Sequence, residues 1–522
     1  MESKQRLNTY RNLNNWHNFR LRLFGEGIIV GLFAGVIVGF FRYALNFVEV
    51  QRGAIYRYMA ASDWIITVLW FGILLLTAAI LHFLVAYEPL SAGSGTPQVK
   101  GAILGFFKMR WFHVLWTKLA GGILGIGAGL SLGREGPSIQ LGAMAAQGLS
   151  RLLGRSRMEE RYLLTSGASA GLAAAFNAPL AGVIFSLEEL HHNFSAVVLL
   201  PAMAAALTAT AVSQLIFGSA TIFNFLDLPA LPLQYFGLII ILGLILGVFG
   251  ALFNYSLINI SKFYQLPFFK NTFSRAGFAL ILAGILGFYL PEVLGGGNEL
   301  IDTIAKKHFP LTIIAIFLCG KFIFTMLSYG SGVPGGFFLP MLVIGALAGN
   351  LVGTFMVGLG LLNPYFHQNM AVFAMAAFFA ASVRAPITGT ILVMEMTGSF
   401  EHLFPLVIAS ISAYLAAEVC KTEPIYDRLL QRSLDGMNKQ NSNYVPDKTR
   451  NVIEISICSG CALDGKLVKN IDWPEHTLLV DIKRGENDIV PNGETLLLAG
   501  DFLYVLTDNA NAENVRKLAE EN

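Results

Sequence analysis

The sequence predicts an all-α polytopic membrane protein with a small soluble α+β domain at its C-terminal end, and three observations carry that prediction. Hydrophobic residues make up 54% of the 522 and charged residues only 13%, about half the charged share of a soluble globular chain. The charge is also unevenly placed. Residues 441–522 hold 14 acids and 8 bases, whereas residues 1–440 hold 20 acids and 28 bases. Finally, apolar segments approaching the ~20 residues of a spanning helix recur through the first part and stop before the second. This composition excludes a disordered chain, a nucleic-acid binder and a disulfide scaffold. The four cysteines include a C-x-x-C pair, Cys458 and Cys461, with no second Cys or His pair to complete a zinc site. No metal, cofactor or nucleic-acid partner is expected.

Residues 1–24 carry Lys4, Arg6, Arg11, Arg20 and Arg22 and lack the short apolar core of a cleavable signal. Bases set just before the first apolar stretch favour a cytoplasmic N-terminus. Apolar segments then run over 27–48, 64–86, 112–130, 163–187, 196–217, 234–258, 277–290, 311–328, 337–361, 370–382, 386–396 and 404–419. Several are short or cut by Gly and Pro clusters, and broken backbone at membrane depth survives only when buried in protein or lining a polar cavity. Basic clusters at 151–161, 262–275 and 421–432 are candidate cytoplasmic loops.

An internal repeat organises these segments. Shifting 118–143 by 203 residues pairs Lys118 with Lys321, Gly127 with Gly330, Gly133 with Gly336, Pro137 with Pro340 and Gly142 with Gly345. A shift of 207 pairs Ala178-Pro179 with Ala385-Pro386, Gly182 with Gly389 and Glu188 with Glu395. Two homologous halves with helices broken at matching places point to a transport site at the repeat interface. The expected boundaries are a membrane domain over 1–440, with repeat one at about 27–219, repeat two at about 233–420 and a cytoplasm-directed helix at about 424–436. The polar stretch 441–450 reads as a linker. Beyond it, 452–457, 477–482 and 503–506 read as strands and 513–522 as a closing helix.

Charges and polar groups inside the apolar part are few, so each is conspicuous. Glu135, in Gly133-Arg134-Glu135-Gly136-Pro137, stands at a helix start, where backbone N–H groups and the positive dipole end favour an anion. It reads either as a carboxylate plugging an anion pathway or as the partner of Arg134. Ser94, in Gly93-Ser94-Gly95-Thr96-Pro97, reads as an anion donor or as a helix N-cap. Phe337 and Phe338 offer backbone amides at the loop equivalent to that of Glu135, or simply pack in a membrane core. Glu188 and Glu189 precede His191 and His192, and read as a buried proton relay or an interfacial pair. An intramembrane enzyme using Glu135 with one of these histidines lacks any nucleophile–base pattern, and no enzymatic activity is expected.

At these residues the sequence resembles the CLC family of chloride channels and chloride/proton antiporters. Its signature loops stand as GSGTP (93–97), GREGP (133–137) and GGFFLP (335–340), in the family's order, and the likeness spans about 25–435. The resemblance implies CLC-type inverted repeats with broken and tilted helices, and a homodimer with one anion pore in each subunit. It implies anion binding by Ser94, by the Phe337 and Phe338 amides and by the Tyr426 hydroxyl, with Glu135 as the gating glutamate and Glu189 as the internal proton-transfer acid. Without it, Tyr426 reads as an interfacial tyrosine. Family channels usually lack an acid at the position of Glu189, so the expected activity is antiport of chloride and protons, two chlorides against one proton in the family. A passive voltage- or pH-gated chloride channel of the same fold is the alternative. Thr96 departs from the family's Ile and Gln98 from a common Glu, while Ser94 fits chloride rather than nitrate. Serine there together with GREGP also argues against the fluoride-exporting branch. The expected location is the bacterial inner membrane, with both termini cytoplasmic. Over about 452–507 the tail resembles the RCK (TrkA) C-terminal regulatory domain, which implies dimer-forming regulation or sensing of a small-molecule or ion ligand.

Overall fold

The Gly and Pro clusters are where the helices end, and they end at equivalent places in two halves. The computed structural model describes residues 2–60, 63–191, 194–223, 225, 228–306, 309–440, 451–458, 460–484, 487–507 and 511–520. The linker at 441–450 and His192 lie outside these. The first half comprises α1 (Glu2–Ala60), α2 (Trp64–Tyr87), α3 (Thr96–Leu104), α4 (Trp111–Gly127), α5 (Glu135–Leu152), α6 (Arg157–Phe176), α7 (Pro179–Phe185) and α8 (Ala196–Phe217). The second comprises α9 (Phe236–Phe263), α10 (Thr272–Tyr289), α11 (Asn298–Lys306), α12 (Leu311–Gly330), α13 (Phe338–Gly358), α14 (His367–Val383), α15 (Pro386–Thr397) and α16 (Leu403–Val419). A further helix, α17 (Ile425–Gln440), follows them. Among the described residues nine helices are long and apolar enough to cross a bilayer.

The apolar stretch 163–187, continuous in the sequence, is two helices. Asn177 closes α6 in the left-handed conformation (φ 57°), and Pro179 opens α7. Arg384 (φ 70°) and Pro386 do the same between α14 and α15. The residue before each proline, Ala178 or Ala385, is driven out of the helical region, with φ of −127° and −119°. A helix cannot continue through that sequence, whatever its hydropathy. The correspondence also reaches further back than the side chains suggest. Short turns at Pro89–Ser91 and Pro291–Val293 precede α3 and α11, each nine residues long.

The halves are packed by backbone proximity. A Cβ added to Gly142 on α5 would stand 2.1 Å from the carbonyl oxygen of Gly167 on α6, and one on Gly167 would stand 2.3 Å from that of Gly142. In the second half Gly349 on α13 similarly faces the Met370 carbonyl on α14, at 2.4 Å. Lipid supplies no hydrophobic drive between helices, so close backbone approach and dispersion hold such pairs.

Residues 434–522 form a compact unit of their own. Strands β1 (Asn451–Ser456), β2 (Leu478–Arg484), β3 (Asn487–Ile489) and β4 (Phe502–Thr507) make an antiparallel sheet of order β1-β4-β2-β3. Helix α18 (Ala512–Glu520) buries Val515 and Ala519 with Ile455, Ile482, Leu503 and Val505. Strand β3 has only three residues, too short to register in the sequence as a strand. Arg484 clasps the buried Asp501 with two bonds of 2.7 Å, and this pairing holds the carboxyl below the usual aspartate range.

Replacing Gly142 with Ala is expected to cost about 1–3 kcal/mol through overpacking against the Gly167 carbonyl. Thermal unfolding of the detergent-solubilised protein reads the change, and an unshifted melting temperature contradicts the packing.

Candidate anion and proton site

Three loops meet where the halves join. Gly133 N donates to Gly336 O at 2.6 Å and Gly336 N donates to Gly133 O at 2.9 Å, forming an antiparallel bridge. These residues are also partners in the internal repeat. A local two-fold axis therefore passes between them, and equivalent segments run in opposite directions, which is what makes the repeats inverted. Gly335 N donates to Gly93 O at 2.9 Å, tying the GSGTP loop to the GGFFLP loop.

The paired lysines fix the loops that enter the short helices. Lys118, buried, donates to the carbonyls of Ser91 (2.9 Å) and Gly93 (2.6 Å). Lys321, equally buried, donates to Val293 (3.0 Å) and Gly295 (2.7 Å). Each ammonium satisfies carbonyls that a broken helix leaves without partners at membrane depth.

Ser94 stands before the N-cap of α3, which is Gly95, so its hydroxyl does not cap that helix. It lies 3.3 Å from Thr96 Oγ1 and is buried against Gly136, where an added Cβ would meet Ser94 Oγ at 2.4 Å. Glu135 is the first residue of α5 and is fully buried. Its Oε2 fills the space a Cβ on Gly133 would need, at 2.3 Å. Its Oε1 is 3.9 Å from Arg134 Nε, and the carboxylate faces the backbone amides of Glu135 itself and of Leu339. The carboxylate lies among helix starts, in the field of the amide ends and beside one arginine.

Phe337 is the N-cap of α13 and Phe338 its first residue, the position equivalent to Glu135. The Phe337 ring stacks on that of Tyr426 (centroids 5.4 Å apart, 29° between planes), and Phe185 sits edge-on to both Tyr426 and Phe338. Tyr426 is fully buried, its hydroxyl beside that of Thr96. Ser94, Glu135, Phe337, Phe338 and Tyr426 thus converge on one junction.

The two neighbouring glutamates divide. Glu188 accepts from the amides of Ile387 (3.3 Å) and Thr388 (2.8 Å) and from the Thr388 hydroxyl (2.7 Å), capping α15. Its repeat partner Glu395 accepts from the amides of Leu180 (3.1 Å) and Ala181 (2.8 Å), capping α7. Each half therefore supplies the cap of the other's broken helix. Glu189 points elsewhere. Buried on a π-helical turn (Ser186–His191), it accepts from Lys100 Nζ at 2.9 Å, and Lys100 also pairs with Asp427 on α17. Neither Lys100 nor Asp427 was picked out by motif. The available signal was a lysine inside a short helix of otherwise apolar and small residues. His191 lies against Thr165 (3.5 Å), away from the Glu135 junction. Among the described residues no His, Cys, Asp and Glu cluster is placed to hold a metal ion.

This architecture defines a membrane protein of the inverted-repeat ion-transport class. A model of the voltage gated chloride channel family matches residues 75–418, and a TrkA-C domain model matches 452–520. The chain is 36% identical to the H(+)/Cl(-) exchange transporter ClcA of Vibrio cholerae serotype O1 (strain ATCC 39541 / Classical Ogawa 395 / O395), over 80% of this chain and 91% of that protein. Among solved structures it is similar to a slow cyanobacterial Cl-/H+ antiporter, at 31% identity, a TM-score of 0.76 and coverage of 80% of this chain and 99% of that one. It is also similar to a eukaryotic CLC transporter, at 26% identity and a TM-score of 0.68, covering 79% of this chain and 74% of that one. The chain belongs to the voltage gated chloride channel (CLC) family and carries a TrkA-C domain at its C-terminal end.

Removing the cap in Glu395→Ala strips the α7 amides of their acceptor, at an expected cost of about 1–2 kcal/mol, while Glu395→Gln keeps an acceptor and costs less. Thermal unfolding of the two variants checks the order; equal stability of Ala and native protein contradicts it.

Proposed function

We propose that this protein is a secondary active chloride/proton antiporter, a homodimer of the bacterial inner membrane with both termini cytoplasmic, and not an enzyme. The carrying observation is a buried carboxylate, Glu135, set among the helix starts that would otherwise receive an anion. A second buried acid, Glu189, is held by Lys100, which also pairs with Asp427 next to Tyr426. Chloride binds between the Ser94 hydroxyl, the Phe337 and Phe338 amides and the Tyr426 hydroxyl.

The exchange follows from competition. Ionised Glu135 and chloride are both anions drawn to the positive ends of α5 and α13, so each excludes the other. Protonation removes the charge from Glu135 and frees those amides for chloride. Glu189 passes the proton between Glu135 and the inner aqueous phase, so proton and chloride movements are linked in opposite directions. The relatives bearing exchange-transporter names favour this reading over a passive voltage- or pH-gated channel, as does an acid at position 189. The membrane domain extends to about residue 440, and the tail beyond it regulates transport by responding to a small molecule or ion, or by pairing between subunits.

Flux from liposomes containing the full chain tests the coupling. An outward chloride gradient is expected to drive proton uptake in the native protein. Glu189→Gln should keep chloride movement and lose the proton, and Glu135→Gln, mimicking the protonated gate, should also uncouple. Chloride flux without proton movement in the native protein makes it a channel; pH-dependent exchange surviving in Glu135→Gln removes the gate assignment.

A further inference from the structure

Glu189 is buried, and the proposed mechanism leaves open how a proton reaches it. Lys100 Nζ bonds Glu189 Oε1 at 2.9 Å and also contacts Asp427 Oδ1, so one ammonium holds two carboxylates. Side-chain exposure grades across the triad, from 2% at Lys100 and 4% at Glu189 to 38% at Asp427. Asp427 alone of the three is exposed at the surface. One ammonium thus lies between two carboxylates, a continuous line of titratable side chains from Asp427 to Glu189. Of the other groups near Glu189, Glu188 caps α15, His191 lies against Thr165, and Tyr426 is close enough to feel its charge.

We propose that Asp427 and Lys100 form the proton relay between water and Glu189, an inference that rests on Glu189 being the internal proton-transfer acid. Lys100 gives a proton to Glu189 Oε1; an N–H bond breaks and an O–H bond forms. The neutral amine then takes the proton that Asp427 has received from water, restoring the ammonium and leaving Asp427 ionised. The net step moves one proton from water to Glu189 with no change at Lys100, and the reverse sequence releases it. Because Asp427 follows Tyr426 directly on α17, the relay ends on the helix that carries the hydroxyl over the anion junction.

Paired chloride and proton fluxes from the reconstituted full chain test the relay. Lys100→Arg keeps the positive charge but not the hop, because a guanidinium does not release its proton. Lys100→Arg and Asp427→Asn are each expected to slow proton movement about a hundredfold while chloride still moves, the low end of a proton-transfer contribution. Asp427→Glu, which keeps an acid, should retain native proton flux. Proton flux at the native rate in Lys100→Arg makes the lysine a mere counter-charge and overturns the relay, and native flux in Asp427→Asn overturns it equally. Retained chloride flux reports folding; if one variant carries none, the other decides. Glu189→Gln, measured alongside, separates the two readings. If it keeps proton flux, the role of Glu189 itself falls; if it loses proton flux while the Lys100 and Asp427 variants keep theirs, only the relay falls.

Discussion

The antiparallel bridge between Gly133 and Gly336 is the constraint on which the rest of the membrane domain depends. Two backbone hydrogen bonds join residues that the internal repeat makes equivalent, so the local two-fold axis runs through the bond pair itself. Everything adjacent follows from that placement. Residue 135 and residue 338 become the opening residues of α5 and α13, and both helix starts face one junction. A Cβ at 133 or 136 would collide with the Glu135 carboxylate or with Ser94, so glycine is what lets carboxylate and hydroxyl come this close. The positive ends of two helices then face the junction, the placement on which the proposed anion site rests.

The buried charges of the membrane domain divide by role. Lys118 and Lys321 hold carbonyls of broken loops, and Glu188 and Glu395 hold amides of broken helices. These four occur as repeat pairs, because both halves face the same problem of satisfying backbone at interrupted helices. Glu135 and Glu189 have no charged counterpart at the equivalent position, where the other half carries Phe338 and Met396. Symmetry marks the charges that build the scaffold, and departure from it marks those that the transport reading assigns to ions and protons.

Much of this was legible in the sequence. The Gly, Pro, Lys and Glu matches at shifts of 203 and 207 located the repeat, and the loop motifs placed Ser94, Glu135, Phe337 and Phe338 at helix starts. The break at Asn177 was hidden, because hydropathy is continuous across 163–187 and only the Ala-Pro pair betrays the turn. The correspondence of α3 with α11 was hidden as well, since its glycines carry backbone geometry and few side chains match around them. The division between Glu188 and Glu189 needed coordinates: adjacency says that two helical side chains diverge, but not which meets an amide and which meets Lys100. In the tail, alternation revealed three strands, while three-residue β3 carried too little pattern.

Placing chloride between Ser94, Tyr426 and the amides of Phe337 and Phe338 joins the architecture to the chemistry. A crystal of the protein grown in bromide, with anomalous scattering recorded at the bromine edge, tests that placement most directly. The account predicts an anomalous peak bounded by the Ser94 and Tyr426 hydroxyls and the two amides. Bromide bound only elsewhere, with the junction empty at saturating bromide, contradicts it.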